Sequence, residues 1–128
     1  MTGAVIAAGL GCRRGVDVAA VLAILRRAHG LAGRAPTLLA IPEFKREEAG
    51  LAAAAAALAL PLRCIAAADL AAAQAETHGR SERVRRATGF AAIAEAAALA
   101  ALAPGARLIL HRISGEGVTC ALAEGLPR

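Results

Sequence analysis

Apolar positions along the chain fall into short continuous runs that alternate with stretches of helical period. Ala4-Val5-Ile6-Ala7-Ala8 is an unbroken apolar run closing on Gly9-Leu10-Gly11, the pattern of a strand buried on both faces. The glycines that follow predict a turn, Gly11-Cys12-Arg13-Arg14-Gly15. Beyond it Val18, Val21, Leu22 and Leu25 recur at helical spacing, with Asp17 at the cap, Arg26 and Arg27 in the last turn and Gly30 as the stop. Pro36 opens a second apolar run over 37–41, ended by Pro42. A helix is expected over 43–60, a short strand over 62–66 and a short helix around Asp69. The polar segment 74–88, with His78, Arg80, Arg83, Arg85 and Arg86, is expected at the surface. A further helix spans 90–102 and stops at Pro104-Gly105. Two strand-like runs, 107–113 and 118–123, flank Ser114-Gly115-Glu116-Gly117, a hairpin turn.

Early alternation of strand and helix implies parallel pairing with helices on both faces, and the terminal hairpin adds antiparallel pairing. The expected fold is therefore α/β, a three-layer sandwich around a mixed, mostly parallel sheet with a C-terminal antiparallel hairpin. The 128 residues, 58 % of them hydrophobic, suit one domain over 1–128. Aromatics amount to 2 %, so Leu, Ile, Val and many Ala must fill the core, which favours closely approaching helices. The Ala-rich stretches near 52–57 and 96–98 share no flanking similarity and read as low complexity.

The longest uncharged apolar stretch, 51–62, falls short of the roughly 20 residues a bilayer requires, so no membrane partner is expected. The first apolar run precedes Arg13 and Arg14, the reverse of a secretory signal. Three scattered cysteines without a Cys-x-x-Cys pair suggest neither a disulfide framework nor zinc, and a reducing cytoplasm is the expected location. His29, His78 and His111 are too dispersed for a metal site. The net charge of +5, carried almost wholly by Arg, favours an anionic partner. Two Phe are few for stacking nucleobases, so a small molecule bearing carboxylates or phosphates is expected rather than nucleic acid.

Ligands of open α/β sheets gather at the carboxyl ends of the strands. Gly11, Cys12, Arg13, Arg14 and Gly15 belong at such an end, where backbone amides and guanidinium groups can hold an acid; alternatively, the glycines only permit the turn and the arginines are solvated. The glycine spacing misses a dinucleotide fingerprint by one residue, and no phosphate loop or nucleophile elbow occurs, so no cofactor is expected. Lys45 and Glu48 fall at the same edge, as a second wall or as capping and surface pairs. Glu95 is a lone carboxylate in an apolar helix, a candidate acid/base if buried. Cys12 lacks a neighbouring His to activate it.

The chain resembles the CobE / CbiG C-terminal domain family of cobalamin biosynthesis over nearly its full length. Gly9-Leu10-Gly11-Cys12-Arg13-Arg14-Gly15 is similar to that family's opening motif, and Lys45-Arg46-Glu47-Glu48-Ala49-Gly50-Leu51 to its Lys-x-Asp-Glu-x-Gly-Leu segment. Thr88-Gly89 followed by Ile93-Ala94-Glu95-Ala96-Ala97-Ala98-Leu99 resembles the third, and Val118-Thr119-Cys120-Ala121-Leu122-Ala123 the closing strand. Glu47 stands where Asp is usual, and His111-Arg112 where the family often carries Lys. The resemblance is to the stand-alone, CobE-like form. It implies a precorrin ligand, a corrin-ring precursor fringed by acetate and propionate groups. Taken with the residues above, the expected function is binding of that ligand by Arg13, Arg14 and Lys45; the alternatives are a hydrolase or lyase acting on the ring lactone, with Glu48 or Glu95 as acid/base, and a module that docks on another enzyme of the pathway.

Overall fold

The first strand runs further than its glycines suggest. The computed structural model describes residues 4–77 and 93–128, and in it β1 spans Val5–Cys12. Gly9, Leu10, Gly11 and Cys12 are strand residues because β5 (Val118–Gly125) pairs antiparallel with every residue of β1, from Val5 opposite Gly125 to Cys12 opposite Val118. The turn is thus shorter than expected and begins at Arg13. What the glycines supply is access: a Cβ on Gly9 would run into Ala94 O and lie 2.6 Å from Ala98 N, so the helix carrying those residues rests directly on the strand backbone.

After the turn, α1 (Val18–Ala32) is N-capped by Asp17, whose carboxylate accepts from Ala19 N at 3.4 Å. Val21, Ile24, Leu25 and Ala28 form its buried stripe, while Val18 and Leu22 are only half-buried. The helix runs through Gly30 and ends at Gly33, where φ is 72° and the amide returns to His29 O. Gly30 takes no such conformation and stops nothing. β2 (Leu38–Pro42) follows, then a single 3₁₀ turn over Glu43–Lys45. The continuous helix expected over 43–60 is therefore divided: α2 is Ala49–Leu58, preceded by Glu48 in extended conformation.

β3 (Leu62–Ile65), α3 (Ala67–Thr77) and α4 (Ile93–Ala100) complete the α/β portion. His78, Arg80, Arg83, Arg85, Arg86, Thr88, Gly89 and Phe90 lie outside the described residues. β4 (Arg107–Ser114) and β5 form the hairpin. Sheet order is β3-β2-β1-β5-β4, with two parallel pairings among β1, β2 and β3 and two antiparallel pairings made by β5.

Strand alternation sorts the core into two layers. Ile6, Ala8, Leu10, Leu39 and Ile41 meet α1 and α2 on one face; Ala7, Leu38 and Ala40 meet α3 and α4 on the other. The second layer is largely alanine, which lets α4 approach so closely. β4 is irregular, with register shifts between Leu108 and Leu110 and again between Leu110 and Ile113. At the opposite sheet edge from the first turn, Glu124 joins Arg34 Nη2 at 2.8 Å and Arg107 Nη2 at 3.2 Å. Among the described residues no helix is long and apolar enough to cross a membrane.

Two outcomes follow from this packing. Gly9→Ala sets a methyl against helix backbone that cannot rotate away, so a loss of about 3 kcal/mol is expected in urea unfolding; an unchanged midpoint would refute the close approach. The hydrogen bonds from Arg34 and then Arg107 hold the Glu124 carboxyl below its usual pKa. A depressed folded-state pKa stabilises above the ordinary Glu value of about 4.3 and ceases to do so as pH falls through the lower folded value. Glu124→Gln should accordingly flatten the acid limb of melting temperature against pH, and coincident acid limbs would count against the clamp.

Candidate functional site

The carboxyl ends of β1, β2 and β4 and the start of β5 meet at one sheet edge, the place that strand direction assigns to ligands. There they enclose an open cavity of about 560 Å³, within the range of small-molecule sites. Gly11 and Cys12 come from β1, Arg13 from the turn, and Pro42, Phe44 and Lys45 from the end of β2 and its 3₁₀ turn. Ile93 enters from the first turn of α4, and Val118 and Thr119 from the hairpin. The walls are mainly apolar, with two cations among them.

Of the residues expected from sequence, Gly11, Cys12, Arg13 and Lys45 stand together on the cavity wall. Arg14 and Gly15 are exposed on the adjoining turn and do not line it. The turn amides are largely committed within the fold. Arg13 N donates to Gly117 O at 2.9 Å and Gly15 N to Glu48 Oε1 at 2.9 Å, while Asp17 occupies the amino end of α1. Glu48, the extended residue that precedes α2, thus ties the first turn to the start of that helix. Glu95 is half-buried away from the cavity wall; its Oε2 accepts from Arg112 N at 3.0 Å and lies 3.3 Å from His111 Nδ1. These two partners sit at the second irregularity of β4, where a strand amide has left the ladder.

The two charged side chains on the cavity wall, Arg13 and Lys45, are both cationic. Among the described residues no carboxylate pairs with Arg13, Arg14 or Lys45, although Arg34 and Arg107 are both paired elsewhere. Burial pushes the Cys12 thiol up, the nearby Lys45 ammonium opposes that shift, and the Glu48 carboxylate reinforces it. Cys12 is therefore a neutral thiol at neutral pH. The three cysteines are free, and among the described residues no group of three or more His, Cys, Asp or Glu gathers as a metal site.

The model of the family described as "Cobalamin synthesis G C-terminus" matches residues 6–123. The chain belongs to that family. It is a cobalamin biosynthesis protein, and it is 37 % identical over 124 residues to the protein CobE of Sinorhizobium sp, covering 94 % of this chain and 80 % of that one. The crystal structure of cobalamin biosynthesis protein chiG from Agrobacterium tumefaciens str. C58 superposes with a TM-score of 0.76 at 38 % identity, covering 93 % of this chain and 97 % of the other. That of CobE, a protein from the cobalamin biosynthetic pathway, gives 0.79 at 34 % identity, with 99 % and 94 % covered.

Within this family member the four motif segments interlock. The first touches the third where Gly9 meets Ala94, the second where Gly15 meets Glu48, and the closing strand where Thr119 Oγ1 donates to Gly11 O at 3.4 Å. Sequence reasoning missed Phe44 and the hairpin wall. Phe44 is 64 % exposed at the cavity although it is one of only two aromatic residues in the chain. Its position two residues after the Pro that ends an apolar run was the available signal. The hairpin's pairing with β1 joins distant segments, so beyond the resemblance of Val118-Thr119 to the family's closing strand nothing local placed it at the cavity.

Thiol labelling checks the electrostatics. With a disulfide reagent at pH 7, exposed Cys64 should react first and half-buried Cys12 slowly; buried Cys120, its thiol pushed up to about 12, should react only on unfolding. A Cys12 that labels fastest would instead be an activated thiolate.

Proposed function

We propose that this protein binds a precorrin, seating an apolar edge of the corrin-ring precursor in the cavity while Arg13, Lys45 and the adjacent Arg14 engage its carboxylate arms. The observation that carries this reading is the pair of cations, Arg13 and Lys45, on an apolar wall, neither of them paired with a carboxylate among the described residues. An uncompensated guanidinium beside apolar surface favours a ligand that is itself apolar in body and anionic at its margin. Exposed Phe44 offers a ring face to such a body. Membership of a cobalamin biosynthesis family supplies a ligand class with those two properties.

Lactone hydrolysis by Glu48 or Glu95 is the alternative, and the hydrogen bonds weigh against it. Glu48 already accepts the Gly15 amide, and Glu95 is held by β4 off the cavity wall. Both carboxylates have a structural task that accounts for them. Binding without turnover is thus the better-supported reading.

With no Trp or Tyr in the chain, a coloured corrinoid can be followed by absorbance. Cobyrinic acid, a corrin whose side arms are free carboxylates, should bind with an affinity that falls as salt rises, and the same corrin with amidated arms should bind far more weakly. Arg13→Ala with Arg14→Ala should weaken binding at least tenfold, or about 1.4 kcal/mol. Unchanged affinity in the double variant, or equal affinity for the amidated ring, would overturn the reading; a changed mass of the bound ligand would replace binding by catalysis.

A further inference from the structure

The β4–β5 hairpin meets the first turn at one residue. Gly117 has φ of 77°, a left-handed conformation, and its carbonyl accepts from Arg13 N at 2.9 Å. The side chain of Arg13 then doubles back over the same residue: a Cβ on Gly117 would lie 2.8 Å from Arg13 Cδ and 2.9 Å from Cγ, and closer still to Nε. Backbone and side chain of Arg13 are thus both registered on Gly117, one by a hydrogen bond and the other by contact with a bare Cα.

We infer that Gly117 is a positioning residue that lays the Arg13 guanidinium on the cavity wall, so that the far hairpin, distant in sequence, sets where an incoming carboxylate is gripped. The inference rests on the carboxylate-binding reading above. Three physical points support it. Arg13 has no carboxylate partner among the described residues, so no ion pair there fixes the direction of its long side chain. The atoms that a Cβ would strike belong to a flexible stem, so the Arg yields rather than the backbone, and the site changes while the fold survives. An ordered cation also loses less conformational freedom on binding than a free one, which raises affinity.

The test separates position from backbone strain. Gly117→Asn tolerates the left-handed φ better than most residues yet adds the Cβ, and Gly117→Ala, which adds only the Cβ, is the second variant should the first fail to fold. Gly33, with φ of 72° and nothing within 4 Å of its missing Cβ, provides the control Gly33→Asn, with the same conformational demand far from Arg13. With cobyrinic acid as probe, Gly117→Asn should lose affinity to within about twofold of Arg13→Ala, Gly33→Asn should bind as the parent does, and adding Gly117→Asn to Arg13→Ala should cost less than a further twofold. Losses that multiply in the double variant would show Gly117 acting on the fold rather than through Arg13, and parent-like binding by Gly117→Asn would refute the inference alone. Parent-like binding by Arg13→Ala would bring down the carboxylate-binding reading and this inference with it.

Discussion

The closest constraint in the molecule is the contact of α4 with β1 at Gly9. A helix that lies with its backbone against a strand needs a bare Cα below and small residues above, and Gly9 under Ala94 and Ala98 meets both conditions. From this contact much of the site follows. It fixes the height of α4 over the sheet, which places Ile93 in the cavity beside Gly11. It also makes Ala96, Ala97, Ala98 and Ala101 a packed layer and not merely a filler of low complexity, because any larger side chain there would lift the helix.

Much of this architecture was legible. The two apolar runs of β1 and β2, Asp17 before a 3.6-residue period, and the Ser114-Gly115-Glu116-Gly117 turn each carry a local physical signal, and the elements they predict are present. The errors share one cause. Gly9, Gly11 and Gly30 read locally as punctuation, whereas what a bare Cα serves at these positions depends on what approaches it. At Gly9 the answer is a helix, at Gly11 the neighbouring Thr119, and at Gly30 nothing at all. Likewise the helix expected over 43–60 is interrupted before Ala49, where the carboxylate of extended Glu48 is engaged by a distant partner, the amide of Gly15. No spacing within 43–60 encodes that bond.

The same distinction governs the candidate site. Arg13 and Lys45 could be placed at one edge from strand direction alone, since both follow parallel strands. Their status as unpaired cations could not, because the chain has ten acidic residues and several stand close in sequence to them. In the structure four of the carboxylates have partners in the scaffold: Asp17 caps α1, Glu48 accepts Gly15 N, Glu95 holds β4, and Glu124 joins Arg34 and Arg107. Asp17 and Glu48 thus act as acceptors inside the scaffold, and among the described residues neither pairs with Arg13 or Lys45.

The same hydrogen bonds explain why the first turn is a poor anion nest despite its glycines. The amides of Arg13 and Gly15 are donated to Gly117 O and Glu48, and a carboxylate already sits at the amino end of α1, so an arriving acid finds no matching array of free N–H groups there. On the proposed reading recognition comes from side chains, and side chains grip well only when held. Rigidity is therefore supplied from across the sheet: β5 pairs along all of β1, and the ladder continues past Cys12 into the bond between Arg13 and Gly117. A cavity wall built this way couples the last strands of the chain to its first turn, so the hairpin belongs to the candidate site as much as to the fold.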